Sequence, residues 1–269
     1  MSNLLYHYCS IETFELILKN KTFRFSSLGI VDDMEESVTL DFDDIGRICF
    51  VSCWTDLEQE SVEMWRNYTG GNNGVRIGLP KDFFHIDMDE NSLIPYSKSL
   101  GDKYDVSISP PYLPELMPVT YTQDEFLINL PVANTKVEKG NNCSSTVAGF
   151  NLDTRYIGRF KRDYWSGQSE WRYRLIAVPQ EYHRNNLHGR YLQGEPEEMI
   201  ELMKSDLREM SFKTDYIDYY FSEIVFHEME ILLSPLNNEE DNLKVKEFLK
   251  EHTGIDNAEL KKSKLKIRC

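Results

Sequence analysis

No window of the sequence approaches 18 apolar residues, and the opening stretch MSNLLYHYCSIETF lacks both the basic n-region and the apolar h-region of a secretory signal. Neither membrane insertion nor secretion is expected. Cysteine is sparse: Cys9, Cys49, Cys53, Cys143 and Cys269 are odd in number and form no CxxC pair, so reduced thiols in a cytoplasmic compartment are the natural reading. Positive charge is also short. With 30 basic against 45 acidic residues the chain carries a net charge of -15, which repels phosphate backbones and anionic headgroups and disfavours bulk binding of nucleic acid. The exception is the crowd of Lys261, Lys262, Lys264, Lys266 and Arg268, read as outward side chains of a solvated edge strand.

Several site signatures are missing as well. There is no GxxxxGK[ST], GxGxxG, HExxH or GxSxG, which excludes a P-loop or a Rossmann fingerprint. Of the six histidines only His183 and His188 lie close together, in a polar loop, and no metal site is expected from them.

What is present describes a folded protein: 41% hydrophobic, 28% charged and 12% aromatic residues over 269 positions, enough to bury a substantial core. An α+β chain is expected, organised as a single domain over residues 1–269, with a core at 1–84 and 150–269 and an elaboration at 85–149. Leu4 to Tyr8 and Thr22 to Ser26 read as strands around a helix that Ser10 caps, in which Ile11, Phe14, Ile17 and Leu18 recur at helical spacing. Ile45 to Cys53 is a nearly continuous apolar run, expected to be a central strand. Ser61 to Tyr68 reads as a short helix, Asn72-Asn73-Gly74 as a turn and Val75 to Leu79 as a strand. Between Pro80 and Gly149 only Met117 to Thr122 resembles a strand, and Lys139 to Ser145 is the loosest part. Further on, the pattern predicts a helical segment at Leu152 to Arg159, strands at Glu170 to Val178 and Glu223 to His227, helices at Glu195 to Phe212 and Asn238 to His252, and a last strand near Leu260 to Ile267.

Candidate functional residues are the polar ones set in or at the ends of apolar strands: His7, Ser26, Ser27, Ser52 and Glu170. A buried polar group costs free energy unless paired, so each has a structural partner, a ligand or a chemical role. Glu170 follows Gln168 where the Trp165-Ser166-Gly167 loop enters a strand, and it can pair with Arg172 or Lys161. Trp65, Trp171 and Tyr68 read as core or cleft-wall aromatics.

These residues carry a resemblance. Leu5-Tyr6-His7-Tyr8 with Ser10, Phe25-Ser26-Ser27-Leu28, Asp32-Asp33 with Glu36, Met64-Trp65-Arg66 with Tyr68, Gly74-Val75 with Ile77-Gly78, and Glu170-Trp171-Arg172 resemble, in order, a large bacterial family defined only as a domain of unknown function. Its pattern runs LYHYxS, SSLxxxNDPxE, MWxxY, GVxIG and ExEWR. The chain departs from it at Asp32, Met34 and Gln168, which stand in place of Asn, Pro and Glu. A YH-bearing strand followed by a helix and a short strand also resembles the opening of the NAD-dependent ADP-ribosyltransferase fold, whose catalytic Glu lies in a Q/E-x-E motif entering a later strand.

That second resemblance implies a split, strongly curved β-sheet with peripheral helices and a bound nucleotide, NAD as substrate, with no metal. It implies Glu170 as the catalytic carboxylate, Gln168 as the residue orienting the substrate, and His7, Tyr8, Ser26, Ser52 and Tyr68 as nucleotide-binding positions. The function so implied is transfer of ADP-ribose to an unidentified acceptor macromolecule, or NAD hydrolysis, in a toxin or phage-defence setting. Two alternatives stand beside it: a non-catalytic nucleotide- or protein-binding module, and a nucleic-acid-processing enzyme holding Mg²⁺ on Asp32, Asp33 and Glu36.

Overall fold

Residues 3–70, 73–84, 96–139, 146–182, 195–255 and 260–267 are described by a computed structural model. The chain starts with strand β1 (Leu4–Ser10), helix α1 (Ile11–Asn20) and strand β2 (Thr22–Ser27). Ser10 caps α1 by accepting from the Thr13 N–H, and Lys21 in the left-handed region ends it, so the turn into β2 is tight. Then come β3 (Cys49–Thr55), α2 (Val62–Tyr68), β4 (Gly74–Pro80), α3 (Tyr96–Tyr104), β5 (Val106–Ser109), β6 (Glu115–Pro118), β7 (Thr120–Thr122) and α4 (Glu125–Ile128). The remainder comprises β8 (Ala133–Lys139), β9 (Thr146–Leu152), β10 (Phe160–Arg162), β11 (Glu170–Pro179), α5 (Pro196–Arg208), β12 (Tyr216–Tyr220), β13 (Glu230–Leu233), α6 (Glu239–Thr253) and β14 (Leu260–Lys262). Among the described residues no helix is long and apolar enough to cross a membrane.

Among the described residues, ten strands form one mixed sheet, and β3 is its branch point. One edge of β3 pairs with β11 from Thr55 opposite Glu170 to Cys49 opposite Ile176. Its other edge is divided. There β2 pairs through Ser26 with Val51 and Ser27 with Phe50, whereas β1 meets β3 at Tyr6 opposite Thr55. One arm runs from β2 to β12, and the other runs through β1, β4 and β13 to the short edge strand β14, which lies parallel to β13. Helix α1 joins the two arms and packs beside the fork. The far edge of β11 is shared in the same way, by β6 and β5.

Strand alternation sends Trp54, Tyr173, Leu175 and Phe50 to one face, where they join Leu5, Phe14, Phe23, Phe25 and Phe83 in the main core. Several of its aromatic rings pack edge to face, Phe23 and Trp54 among them at 5.0 Å between centroids. The other face of β3 and β11 carries Cys49, Val51, Cys53, Glu170, Arg172 and Arg174. A second cluster, Leu28, Ile45, Ile48, Val51, Ile157 and Leu207, covers part of it.

Four elements differ from the sequence expectation. The run from Ile45 begins with a 3₁₀ turn (Ile45–Ile48), and β3 starts only at Cys49: at Gly46 the backbone is pressed so close to Ser37 that a Cβ would meet its Cα at 2.5 Å. A short apolar run does not reveal such a break. Leu152 to Arg159 holds the end of β9 and one 3₁₀ turn (Thr154–Tyr156), because Leu152 is still paired with Ala133 of β8 and Gly158, at φ +75°, leaves the helical region, so only one turn fits between them. Glu223 to His227 is also 3₁₀, burying Val225 and Phe226, and the strands lie on either side of it as β12 and β13. Met117 to Thr122 is cut at Val119, so that β6 joins β11 while β7 pairs in parallel with β10. Strands β5, β8 and β9 and helices α3 and α4 were not legible. The Lys139 to Ser145 loop beyond Lys139, Asn72 of the predicted turn, His183, His188, Cys143 and Cys269 lie outside the described residues.

Candidate functional site

The charged positions of β11 follow from its pattern EWRYRLI, in which Glu170, Arg172 and Arg174 share one face at a spacing of two. Three charges on a face that a core covers require partners. Arg172 binds Glu36 through both terminal nitrogens, one of them to Glu36 Oε1 at 3.0 Å. Its Nε donates to Glu170 Oε1 at 2.6 Å and its Nη1 to the Gly158 carbonyl at 2.8 Å. Lys161, from β10, reaches Glu36 Oε1 at 3.0 Å, Glu170 Oε2 at 3.1 Å and Gln168 Oε1 at 3.4 Å. The result is a buried quartet of two carboxylates and two cations, with Arg172 1% and Glu170 6% exposed. Glu36 arrives on the 3₁₀ turn Met34–Ser37, so the quartet ties the acidic turn to the central strand.

The charges set one another's protonation. Burial works to raise the Glu170 carboxyl, but the Arg172 guanidinium and the Lys161 ammonium outweigh it and hold the group at about 2. Lys161 is held charged against its own burial by Glu170 and Glu36. The Cys53 thiol, also within hydrogen-bonding reach of Glu170, is pushed well above its ordinary value by burial and by that carboxylate.

The loop before β11 is fixed at several points. Ser169 adopts the left-handed conformation at φ 43°, the Thr55 hydroxyl donates to the Gln168 carbonyl at 2.7 Å, and Asp56 accepts from Ser169 Oγ and the Trp171 indole. Gln168 Nε2 donates to the Tyr68 hydroxyl at 3.0 Å. The Tyr68 phenol is driven up to about 12, first by burial and then by Cys53 and Glu170.

His7 sits between the bridges that β2 and β1 make with β3. Its Nδ1 lies 2.9 Å from the Cys53 carbonyl, and since a carbonyl only accepts, the proton is on Nδ1 and Nε2 is the ring's acceptor. Burial lowers the His7 pKa despite that bond, keeping the ring neutral near pH 7. The ring packs 5.1 Å from Trp54 and 5.9 Å from Phe23.

Two cavities meet at His7 and Cys53. The inner one, about 70 Å³, is walled by Tyr6, Tyr8, Trp54, Met64 and Tyr68 and includes Gln168 and Glu170. The outer one, about 400 Å³, runs over Val51 beside α1 to Ser26, Arg24 and Asp218. Of the residues singled out in the sequence, His7, Tyr8, Tyr68, Gln168 and Glu170 line the inner cavity, and Ser26 lines the outer one. Ser52 lies elsewhere: it points to the main-core face and accepts from the Trp54 indole at 3.1 Å. Alternation along β3 fixes that, because Val51 and Cys53 take the cleft side. Glu36 has both oxygens engaged by Arg172 and Lys161, so the acidic turn does not offer three free carboxylates to a hard cation. Asp33, also in that turn, has one oxygen buried without a partner, and burial together with Glu36 raises its pKa. The sequence reading missed that Lys161, Arg172 and Glu36 form one unit and that Cys53 joins the two cavities. The period-two charges of EWRYR were the signal for the first.

No curated protein and no solved structure matches the chain. Residues 64–173, from α2 into β11 and including the MWRNY, GVRIG and QSEWR segments, match the model of a family described as Protein of unknown function (DUF2971), and the resemblance read from those motifs is to a family of that kind.

Proposed function

We propose that the cleft at the sheet's fork binds a pyridine dinucleotide and that the protein is an NAD-consuming enzyme of the ADP-ribosyltransferase type, transferring ADP-ribose or hydrolysing NAD. The observation that carries this reading is that His7 and Glu170, which come from separate strands, line one cavity, and that His7 also lines a wider cleft with Ser26 and Arg24. Breaking a nicotinamide–ribose bond develops positive charge on the ribose, and a carboxylate held ionised beside it stabilises that charge more than the ground state. The Arg172 guanidinium and the Lys161 ammonium hold the Glu170 carboxyl below its ordinary value and so favour its ionised form. His7 Nε2 is an acceptor suited to a ribose hydroxyl, and the inner cavity's aromatic walls suit a flat ring.

A second reading is favoured by the quartet itself. Glu170 is already neutralised by Arg172 and Lys161, which is what a structural carboxylate needs, and a scaffold that only binds nucleotide keeps the same cleft. Incubating the purified protein with NAD while following nicotinamide release and, by calorimetry, binding separates the two. Turnover supports the enzyme, saturable heat without turnover supports the binding module, and neither signal at millimolar NAD rejects the cleft as a dinucleotide site.

A further inference from the structure

We infer that Lys161 is the displaceable counter-ion of Glu170, a positioning residue that yields the Glu170 Oε2 atom to a hydroxyl of the bound ligand; the inference rests on the nucleotide-binding reading. Both oxygens of Glu170 are occupied, Oε1 by Arg172 Nε and Oε2 by Lys161 Nζ. Each oxygen keeps a second acceptor site, but a ligand hydroxyl approaching this buried carboxylate competes with the cation already seated there, and it displaces the more weakly held one. The two cations are not held alike. Arg172 is fixed through three nitrogens to Glu170, Glu36 and the Gly158 carbonyl, in a planar fork that cannot release one bond without straining the others.

Lys161 is a point charge on a flexible four-carbon stem. Its bond to Glu170, at 3.1 Å, is longer than that of Arg172, at 2.6 Å, and two further acceptors are already in reach, Glu36 Oε1 at 3.0 Å and Gln168 Oε1 at 3.4 Å. The face of Trp165 lies 4.7 Å from the ammonium and gives it a further favourable environment. Lys161 can thus let go of Glu170 and remain paired, and the quartet stays electroneutral while Oε2 turns to the ligand. Gln168 ties the shift to the cavity wall, because its amide bonds Lys161 on one side and the Tyr68 hydroxyl on the other.

The test is calorimetric titration at pH 8 of the full chain with NAD and, separately, with ADP-ribose, for the wild type, Lys161→Met and Lys161→Arg, with circular dichroism to establish folding. Removing the competing cation is expected to tighten binding roughly tenfold in Lys161→Met, whereas the forked guanidinium of Lys161→Arg, slow to yield, weakens it by a similar factor. A purely structural Lys161 predicts lower melting temperatures with dissociation constants unchanged or moved in the same direction in both variants, and either pattern overturns the inference. Should Lys161→Met fail to fold, Lys161→Arg decides alone, since wild-type affinity in that folded variant overturns it too. A wild type that binds neither probe removes the nucleotide reading and this inference together, a result distinct from a binding wild type whose variants match it.

Discussion

The His7 imidazole donates to the Cys53 carbonyl across 2.9 Å, at the gap where β2 and β1 part along the edge of β3. In a continuous sheet a neighbouring strand would satisfy that carbonyl. Here a side chain does it, and the same ring forms the boundary between the two cavities. The fork and the two cavities therefore share one residue.

Replacing His7 by Ala removes the donor from a part-buried carbonyl and opens a hole beside Trp54 and Phe23. A loss of about 1–3 kcal/mol is expected. His7→Asn keeps an N–H donor on a shorter side chain and should recover part of that stability. Thermal melts with and without NAD check both points. A ligand-induced shift of full size in His7→Ala would take His7 out of the binding site.

Acidification should weaken ligand binding through the same ring. Burial places the folded-state pKa of His7 below 6.5, so the neutral ring persists at pH 7 and gains a proton on Nε2 only at lower pH, losing its acceptor. Because the unfolded chain takes up that proton first, the stability contributed by neutral His7 also falls as pH drops below about 6.5. As the pH is lowered from 7.5, NAD affinity in the wild type should hold and then decline once the depressed His7 pKa is reached, a step absent from His7→Asn. Equal slopes would contradict the assignment.

The elements legible in the sequence were those with strong local signals. Ser10 before an apolar period of 3.6 gives α1, Asn238 before an acidic turn gives the start of α6, and the run of Glu170 to Val178 gives β11. Residues whose conformation is decided by distant partners were not legible. Ile45 to Ile48 is as apolar as a strand, yet Gly46 lets it turn against Ser37; Thr120 to Thr122 leaves the main sheet because β10, forty residues later, pairs with it. In the site, His7 and Glu170 stood out as polar interruptions of apolar strands. Ser52 stood out equally and faces the core, since one strand of isolated sequence does not say which face is the cleft. Glu36 and Lys161 lie more than 120 positions apart, and their joining by Arg172 is purely a product of the fold.

The quartet should also show in acid unfolding. The Glu170 carboxyl falls from an ordinary 4.5 to about 2, so the stability it contributes is complete above pH 4.5 and is lost as pH drops toward 2. Such a depression corresponds to about 3 kcal/mol. Urea melts of the wild type at steps between pH 6 and pH 2.5 should record a steep decline below pH 4.5. The decline should be shallower in Glu170→Gln, which has no proton to gain there, and parallel curves would place the acid sensitivity in other carboxylates.

Glu170→Gln at neutral pH gives the last expectation, and here geometry revises what the side chain's near-isosteric replacement suggests. A free cleft carboxylate would tolerate the amide with no loss of fold. Glu170 is not free: the change leaves Arg172 and Lys161 facing Glu36 alone, an uncompensated positive charge in a site 6% exposed. Removing one member of a buried ion pair typically costs about 3–5 kcal/mol. The variant should thus melt well below the wild type, and Glu170→Gln combined with Lys161→Met, which restores electroneutrality, should recover part of the loss, giving a coupling energy of opposite sign to the single effects. If NAD turnover exists, it should vanish in both the single and the double variant, because neither retains a carboxylate opposite the ribose. Recovered stability with turnover still absent separates the charge that holds the fold from the charge that acts on the ligand. Turnover that returns with stability in the double variant would assign Glu170 to structure alone.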